Sequence, residues 1–240
     1  MRIKRSFIYW FVVYVVVLGG FSGICIYGNK AVTAFNEIDA TNERMCIIVD
    51  AGHGGVDGGT TSCTGIKEST INLEIALRLN DFLHLLGIDT KMVRTTDTSV
   101  YTNGETIAAK KVSDLKERVK IVESTPNSLL ISIHQNYFSE SQYSGAQVFY
   151  GSNKDGIKLA ETIQQALIQV VNPQSTRSTK KATNIYLMEH ITRPGVLIEC
   201  GFLSNPKEEA LLRDEVYQKK LCSVIGCTLS EFINSSSDIT

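Results

Sequence analysis

Residues 46–59 read CIIVDAGHGGVDGG, and this stretch decides how the fold is interpreted because an apolar run passes directly into a glycine-rich segment. The run at residues 46–49 is short and rich in β-branched side chains, which is typical of a buried strand. The glycines that follow permit a tight loop in which the backbone can approach a ligand closely. Their spacing fits neither the P-loop nor the dinucleotide-binding pattern, so we expect no nucleotide here.

Segments with strand and helix character alternate along the rest of the chain. An Asn N-cap at Asn205, followed by Pro206 and then Glu208, predicts the start of one helix. The alternation predicts a single three-layer α/β domain, with a mostly parallel, twisted sheet and helices on both faces. Further strands are predicted at residues 90–94, 129–133, 146–150, 185–188 and 196–200, and further helices at residues 70–86, 105–123, 154–171 and 216–233.

The composition argues against several classes of protein. The net charge is −1 at pH 7, so the chain has no overall basic field that would favour nucleic acid. None of the six cysteines forms a CxxC pair, which argues against a structural zinc knuckle or a thioredoxin-like motif. Cys222 and Cys227 could pair if their geometry permits, and the other cysteines of the domain are expected to be small buried side chains.

The N-terminal residues differ from the rest. Arg2, Lys4 and Arg5 precede an uncharged apolar run at residues 7–27, which is long enough to cross a bilayer as one helix. Basic residues ahead of such a run predict that the domain lies outside the cytoplasm, whether the run is an anchor or a cleaved signal. The predicted organisation is a membrane anchor or signal at residues 1–28, a linker at 29–44, a catalytic domain at 45–234 and a tail at 235–240.

Potential metal ligands follow the ends of predicted strands. His53 follows the first strand, His134 follows the strand at residues 129–133, and Glu68 lies just before a helix. Ligands of parallel sheets bind beyond the carboxyl ends of the strands. Two imidazoles and one carboxylate form a common catalytic zinc set with one position left for water. Glu199 is a carboxylate in an otherwise apolar strand, which is costly unless it serves such a water.

Each of these residues also has an ordinary structural interpretation. Glu68 could simply favour a helix N-terminus, Glu199 could be a paired core carboxylate, and a single strand-end histidine is often structural. His84 is expected on the solvated side of its helix and His190 in a loop, so neither is a predicted ligand. The metal-site hypothesis depends on the combination of four residues at one edge of the sheet.

At these residues the sequence resembles the zinc-dependent N-acetylmuramoyl-L-alanine amidases of the Amidase_3 family. The resemblance spans residues 45–234 and includes four separated motifs in order. Residues 114–119, 145–150 and 194–199 are similar to the sporulation branch of that family. The motifs are IVDAGHGGVDGG at 48–59, the Lys67-Glu68 step into a helix, SIHQN at 132–136 and LIECGFLSNP at 197–206.

The resemblance implies a role for each motif residue. His53, Glu68 and His134 would bind one Zn²⁺, Glu199 would be the catalytic glutamate, and the substrate-binding residues would be Asn136 and Arg118. The implied reaction is hydrolysis of the amide between the lactyl group of muramic acid and L-alanine. Glu199 would take a proton from the attacking water and pass it to the departing nitrogen.

The sporulation branch implies a setting as well as a reaction. Its members help to form muramic-δ-lactam in the spore cortex, which would place the domain between the forespore and mother-cell membranes. Some family members depend on an activating protein partner. Two alternatives remain open at this point: a catalytically silent or partner-activated wall-binding module, and a zinc carboxypeptidase-like exopeptidase.

Overall fold

A computed structural model describes residues 44–237 of the chain. The predicted anchor, nearly all of the predicted linker and the last residues of the predicted tail lie outside the described residues. Within residues 44–237, no helix is both long enough and apolar enough to cross a membrane.

Strands and helices alternate through the described residues, which confirms the predicted mixed α/β domain with a central sheet. The strands are β1 (Cys46–Ala51), β2 (Thr90–Met92), β3 (Ser128–Asn136), β4 (Gln147–Tyr150), β5 (Lys180–Lys181) and β6 (Gly195–Phe202). The helices are α1 (Glu68–Leu85), α2 (Ile107–Ser124), α3 (Lys154–Ala166), which continues as a π-helical turn at Leu167–Val171, α4 (Tyr186–His190), α5 (Pro206–Leu212) and α6 (Glu215–Ser237).

The sheet has the strand order β2-β1-β3-β6-β4-β5. Among these neighbours only β4 and β6 run antiparallel, so the sheet is mostly parallel, as predicted. The three central neighbours β1, β3 and β6 are parallel, and their carboxyl ends therefore reach the same edge of the sheet. This edge carries the motif residues.

Helices cover both faces of the sheet. On one face, Ile75 and Leu79 of α1 and Leu221 of α6 pack with Leu159 of α3 over the central strands. On the other face, Val122 of α2 and Leu187 of α4 pack over Ile48, Leu130 and Leu197. Each fully buried aliphatic side chain contributes about 1.5–3 kcal/mol relative to exposure, so these two layers fix the sheet between them.

The region at residues 185–188 was predicted as a strand and is instead the start of helix α4, so that prediction is wrong. A short apolar run fits a buried strand or a buried helix equally well by periodicity alone. Asn184 has a positive φ of 61° and its backbone N–H donates to the Glu189 side chain at 2.7 Å. This local turn starts a helix that buries Leu187 and Met188.

Other local predictions had mixed outcomes. The Asn205 N-cap is confirmed, because its side chain accepts hydrogen bonds from Lys207 N at 3.0 Å and Glu208 N at 3.3 Å. Cys222 and Cys227 are both free, five residues apart on α6, so they do not pair. Cys200 is buried as expected, whereas Cys63 is exposed, because it lies in the loop ahead of α1 rather than in a strand.

Candidate metal centre and active site

Three potential ligands meet at the carboxyl edge of the sheet. Ligand atoms of His53, Glu68 and His134 all lie within 4.8 Å of one another. His53 Nε2 is 3.3 Å from Glu68 Oε2, and His134 Nδ1 is 3.0 Å from Glu68 Oε1. The structure therefore brings together the two imidazoles and the carboxylate that the sequence predicted as one set. Such a donor set fits zinc, which accepts nitrogen and carboxylate oxygen in a four-coordinate site.

Glycines allow these side chains to approach the backbone. A Cβ at Gly52 would overlap the imidazole ring of His134. A Cβ at Gly59 would lie 2.6 Å from Glu68 Oε2 and 2.7 Å from His53 Cδ2. His53 itself has a φ of 59°, in the left-handed region that few non-glycine residues adopt. The loop after β1 is thus shaped around the cluster, at some cost in backbone strain.

Glu68, the first residue of α1, is held by donors from three directions. Its Oε2 accepts a hydrogen bond from Thr60 N at 3.1 Å, and its Oε1 accepts from Asn72 Nδ2 and Gln135 N at 3.2 Å each. Burial alone would raise the pKa of this carboxyl, but hydrogen bonds from His134 and His53 hold the pKa well below its usual range. Glu68 is therefore a fixed anion.

Asp57 orients the His53 ring. The Nδ1 atom of His53 lies 2.9 Å from Asp57 Oδ2, and Lys111 Nζ lies 3.2 Å from the same oxygen. Burial would lower the pKa of His53, yet the hydrogen bonds with Asp57 and Glu68 raise it to about 9. A carboxylate on one ring nitrogen fixes the tautomer and directs the other nitrogen towards a metal. Sequence reasoning missed Asp57, although it lies within the glycine-rich motif.

Arg118 lies beneath the His53 loop and is only 3% exposed. Its guanidinium forms ion pairs with Asp50 and Asp114 and donates to the carbonyl oxygens of Ala51 at 3.0 Å and His53 at 2.7 Å. Burial would lower the pKa of Arg118, but these two carboxylates raise it. The observed contacts give Arg118 a supporting role, and its predicted contact with substrate stays a prediction.

A second buried arginine fastens the same loop to α1. Arg94 donates to the carbonyl oxygens of Ala51 at 2.9 Å, Gly52 at 3.0 Å and Ser69 at 2.8 Å. These bonds join the end of β1 to the turn that carries Glu68. Asp97, three residues further on, accepts a hydrogen bond from Gly55 N at 3.0 Å and so holds the same loop.

Glu199 lies beside the cluster on β6 and is paired in register with His134 of β3. Its Oε2 is buried and has no hydrogen-bond partner among residues 44–237. Burial, reinforced by the negative charge of Glu68, raises the pKa of Glu199 to about 7. A carboxyl with such a pKa can accept or donate a proton near neutral pH. Cys200, the next residue, packs into the core on the other face, as strand alternation predicts.

Asn136 ends β3 two residues beyond His134 and pairs with Phe202 of β6. Its predicted contact with substrate stays a prediction. The two remaining histidines lie outside the cluster: His84 is exposed on α1, where its Nε2 lies 2.6 Å from Thr90 Oγ1, and His190 ends α4 rather than lying in a loop.

A cleft lies beside the cluster, on the face of the sheet over which α2 and α4 pack. Its wall joins the charged loop after β1 to an apolar side formed by both helices and β6. The residues that line it away from the cluster include Asp57, Lys111, Leu115, Ile185, Tyr186, Leu187 and Leu197.

Two imidazoles and two carboxylates at one sheet edge form a site of the kind that metal-dependent hydrolases use. Residues 47–229 match the Amidase_3 family, described as N-acetylmuramoyl-L-alanine amidase, and the chain belongs to that family. Its members named below are enzymes that act on peptidoglycan, and the chain is an amidase of this kind.

Two relatives illustrate the similarity. The germination-specific N-acetylmuramoyl-L-alanine amidase of Bacillus subtilis (strain 168) is 38% identical over 194 residues, which cover 80% of this chain and 81% of that protein. The AmiA amidase of Salmonella typhimurium is 25% identical over 231 residues, covering 78% of this chain and 75% of that protein.

Solved structures have the same fold. The CwlD amidase of Clostridioides difficile, in complex with the GerS lipoprotein, has a TM-score of 0.76 and 37% identity, and the match covers 80% of this chain and all of that one. An N-acetylmuramoyl-L-alanine amidase from Clostridium difficile 630 has a TM-score of 0.70 and 28% identity, with coverage of 81% and 99%.

Proposed function

We propose that the chain is a zinc-dependent amidase that cleaves the bond between the lactyl group of muramic acid and L-alanine. The observation that carries this proposal is the convergence of His53, Glu68 and His134 within 4.8 Å. The unpartnered Glu199 Oε2 on the neighbouring strand gives the same site a proton carrier. Family membership supports amide hydrolysis as the reaction, and the two imidazoles and one carboxylate support zinc as the metal.

Zinc bound by His53, Glu68 and His134 would supply a positive charge that lowers the pKa of a water molecule and stabilises negative charge on a carbonyl oxygen. Asp57 keeps the His53 ring in the ligating orientation, and the hydrogen bonds on Glu68 keep that carboxylate in place. The ligand side of the site thus requires little rearrangement when substrate binds.

Glu199 carries the proton. Its Oε2 accepts a proton from the attacking water, and a pKa of about 7 lets the carboxyl hold that proton transiently. Glu199 then donates the proton to the nitrogen of L-alanine as the carbon–nitrogen bond breaks, so that the peptide leaves as a free amine. One group therefore serves as base and then as acid, with its pKa close to the working pH.

We also propose a setting for this activity in the spore cortex, where removal of the peptide from muramic acid would precede muramic-δ-lactam formation. The germination-specific name of the Bacillus subtilis relative supports this setting. The basic residues and apolar run at residues 2–27 support attachment to the membrane with the domain outside the cytoplasm. The complex of the Clostridioides difficile relative with a lipoprotein supports a membrane-associated protein partner here as well.

Digestion of purified peptidoglycan tests the proposal. The full chain, purified in detergent with one equivalent of zinc, is expected to release peptides with a free L-alanine amine and to leave glycan without peptide. Mass spectrometry identifies both products, and a chelator should abolish their formation. Release of single C-terminal residues would instead indicate an exopeptidase. Absence of any release from zinc-loaded protein, with and without a candidate lipoprotein partner, would indicate a wall-binding module.

A further inference from the structure

Three aromatic side chains are exposed just beyond the metal-binding end of β3. Tyr137 is 49% exposed, Phe138 is 46% exposed and Tyr143 is 38% exposed. We call these three residues the aromatic shelf. Single exposed apolar residues are common, but a contiguous group of them marks a binding surface more often than chance placement does.

Two rings of the shelf, those of Phe138 and Tyr143, are held by ring contacts. Phe138 and Tyr143 pack edge to face with centroids 4.8 Å apart, and Tyr143 stacks on Phe202 at 6.2 Å with an interplanar angle of 30°. The guanidinium of Arg177 lies 4.5 Å from the centroid of Phe202. Phe202 is only 4% exposed, so it forms a buried base for Tyr143, on which Phe138 packs in turn.

The backbone beneath the rings is also fixed. Phe138 N donates to Ser204 Oγ at 3.2 Å, and Asn205 Nδ2 donates to the carbonyl oxygen of Tyr143 at 3.1 Å. Leu203 N donates to the carbonyl oxygen of Asn136 at 2.8 Å. A surface that is already ordered loses little conformational entropy on binding, which favours a binding role over incidental exposure.

The shelf is continuous with the candidate active site. His134 pairs with Glu199 and Asn136 pairs with Phe202, with a shift of register between the two pairs. The base of the shelf therefore lies two residues further along β3 and three further along β6, about 7–10 Å at roughly 3.3 Å per residue. Arg177 NH1 donates to Gln147 Oε1 at 3.0 Å, and Gln147 pairs with Glu199 in the sheet. The shelf therefore adjoins Glu199 on the β4 side.

The substrate of the proposed reaction has two parts that meet at the cleaved bond, a glycan and a peptide. The cleft beside His53 presents the ion pair of Lys111 and Asp57 next to an apolar wall. The shelf presents ring faces and tyrosine hydroxyls instead. Sugar rings expose C–H groups that favour the negative face of an aromatic ring, and their hydroxyls can bond with tyrosine. The chemistry of the shelf thus matches the neutral glycan better than the charged peptide.

We propose that the aromatic shelf binds sugars of the glycan strand next to the muramic acid whose amide is cleaved. The proposal rests on the proposed amidase function, because that function supplies the substrate. In this arrangement the glycan lies over Tyr137, Phe138 and Tyr143 while the peptide extends along the cleft. Longer strands are then bound more tightly than a single muramoyl-peptide.

The test compares the full zinc-loaded chain with the double variant Tyr137→Ala/Phe138→Ala. The first readout is binding of soluble peptide-free glycan strands, measured by calorimetry, and it needs no turnover. We expect the double variant to raise Kd about tenfold, the loss of roughly 1.4 kcal/mol expected when ring stacking is removed. Leu85→Ala, a change at a side chain that is 80% exposed at the far end of α1, is the matched control and should leave Kd unchanged.

The second readout is KM on two substrates, a multi-disaccharide strand with peptides and a single muramoyl-peptide. We expect the double variant to raise KM about tenfold on the strand alone, with kcat nearly unchanged. An unchanged Kd for glycan and an unchanged KM on strands would overturn the proposal and favour a protein partner as the occupant of the shelf. An equal rise in KM on both substrates would overturn the proposal and indicate that the shelf residues have a structural role. Failure of the parent chain to cleave either substrate would overturn the proposed function. The binding measurement would still decide whether the shelf binds glycan.

Discussion

The loop after β1 and the end of β6 reach the same edge of the sheet but are built differently. The loop is held by charged and polar groups, with Asp57 on the His53 ring and Arg94 and Arg118 on its carbonyl oxygens. On β6, Glu199 stands between Ile198 and Cys200 in the sequence, and its Oε2 is unpartnered within the described part of the chain. We attribute this difference to the proposed roles of the two regions, metal binding for the loop and proton transfer for Glu199.

A ligand has to hold one position, and hydrogen bonds to the ring or carboxylate provide that rigidity. A proton carrier has to change its charge during each turnover. A carboxylate that accepted several strong hydrogen bonds would be held in its charged form, as Glu68 is, and would be a poor carrier. Burial, with no hydrogen-bond partner for Oε2 among residues 44–237, keeps the pKa of Glu199 near 7.

Loss of a ligand should have the largest effect. His134→Ala leaves two donors, too few to hold zinc tightly, so we expect both zinc content and turnover to fall to background. Metal analysis and peptidoglycan hydrolysis on the same preparation measure this. His84→Ala, a change at an exposed histidine on α1, is the control and should retain both. Full turnover by His134→Ala would remove that residue from the metal centre.

The second-largest effect is expected from loss of Arg118, which should lower the free energy of unfolding. Arg118→Met leaves Asp50 and Asp114 without their cation, and breaking a buried pair typically costs about 3–5 kcal/mol. Denaturant unfolding measures the free energy change. Lys120→Met removes a 73% exposed lysine from the same helix and should change stability by less than about 0.5 kcal/mol. A change of similar size in both variants would mean that the Arg118 network does not support the loop.

The raised pKa of Glu199 predicts a specific pH dependence of stability in the zinc-free protein. Between pH 4.5 and about 7 the unfolded chain loses this proton while the folded chain keeps it, so Glu199 destabilises the fold increasingly as pH rises. Glu199→Gln removes this penalty. We expect the variant to be more stable than the parent at pH 8 by up to about 3 kcal/mol, and equal to it near pH 4.

Thermal and denaturant unfolding of the two zinc-free proteins across this pH range give the difference directly. Taking the difference cancels the contribution of His53, whose raised pKa also makes stability fall as pH rises, from 6.5 to about 9. A difference that does not vary with pH would show that Glu199 titrates normally.

Removal of the orienting carboxylate should have the smallest effect. Asp57→Asn keeps an oxygen near His53 Nδ1 but removes its charge, and loss of such a partner typically weakens metal affinity about 10–100-fold. Competition with a zinc chelator of known affinity measures the change. Asp81→Asn, an exposed carboxylate on α1, serves as the matched control. Unchanged zinc affinity in Asp57→Asn would mean that Asp57 does not position the ligand.

The parts of the fold that were predictable are those whose signal is local. β1, β3 and β6 are continuous apolar runs, as expected for strands covered on both faces, and Asn205 carries a recognisable N-cap. Helix α4 was not predictable because five apolar or polar residues carry too little periodicity to separate helix from strand. The two-residue edge strand β5 is made of exposed lysines and has no apolar pattern at all.

The residues of the site likewise separate into those with a local sequence signal and those without one. His53, His134, Glu68 and Glu199 were predictable because each stands at a strand end, at a helix start or in an apolar strand. The supporting contacts were not predictable, because Arg118 reaches Asp50 and the His53 carbonyl across 68 and 65 residues of sequence. A pattern in one sequence does not encode such long-range hydrogen bonds. The placement of Arg118 near substrate came from the family resemblance and stays a prediction.

Turnover of zinc-loaded Glu199→Gln tests the central claim most directly. The glutamine has nearly the same size and leaves His53, Glu68 and His134 unchanged, but it cannot carry the proton. The account predicts one zinc per chain, as in the parent, with hydrolysis of peptidoglycan reduced about 10²–10⁴-fold. Normal hydrolysis by this variant would contradict the assignment of the proton carrier, and loss of zinc would contradict the separation between ligands and carrier.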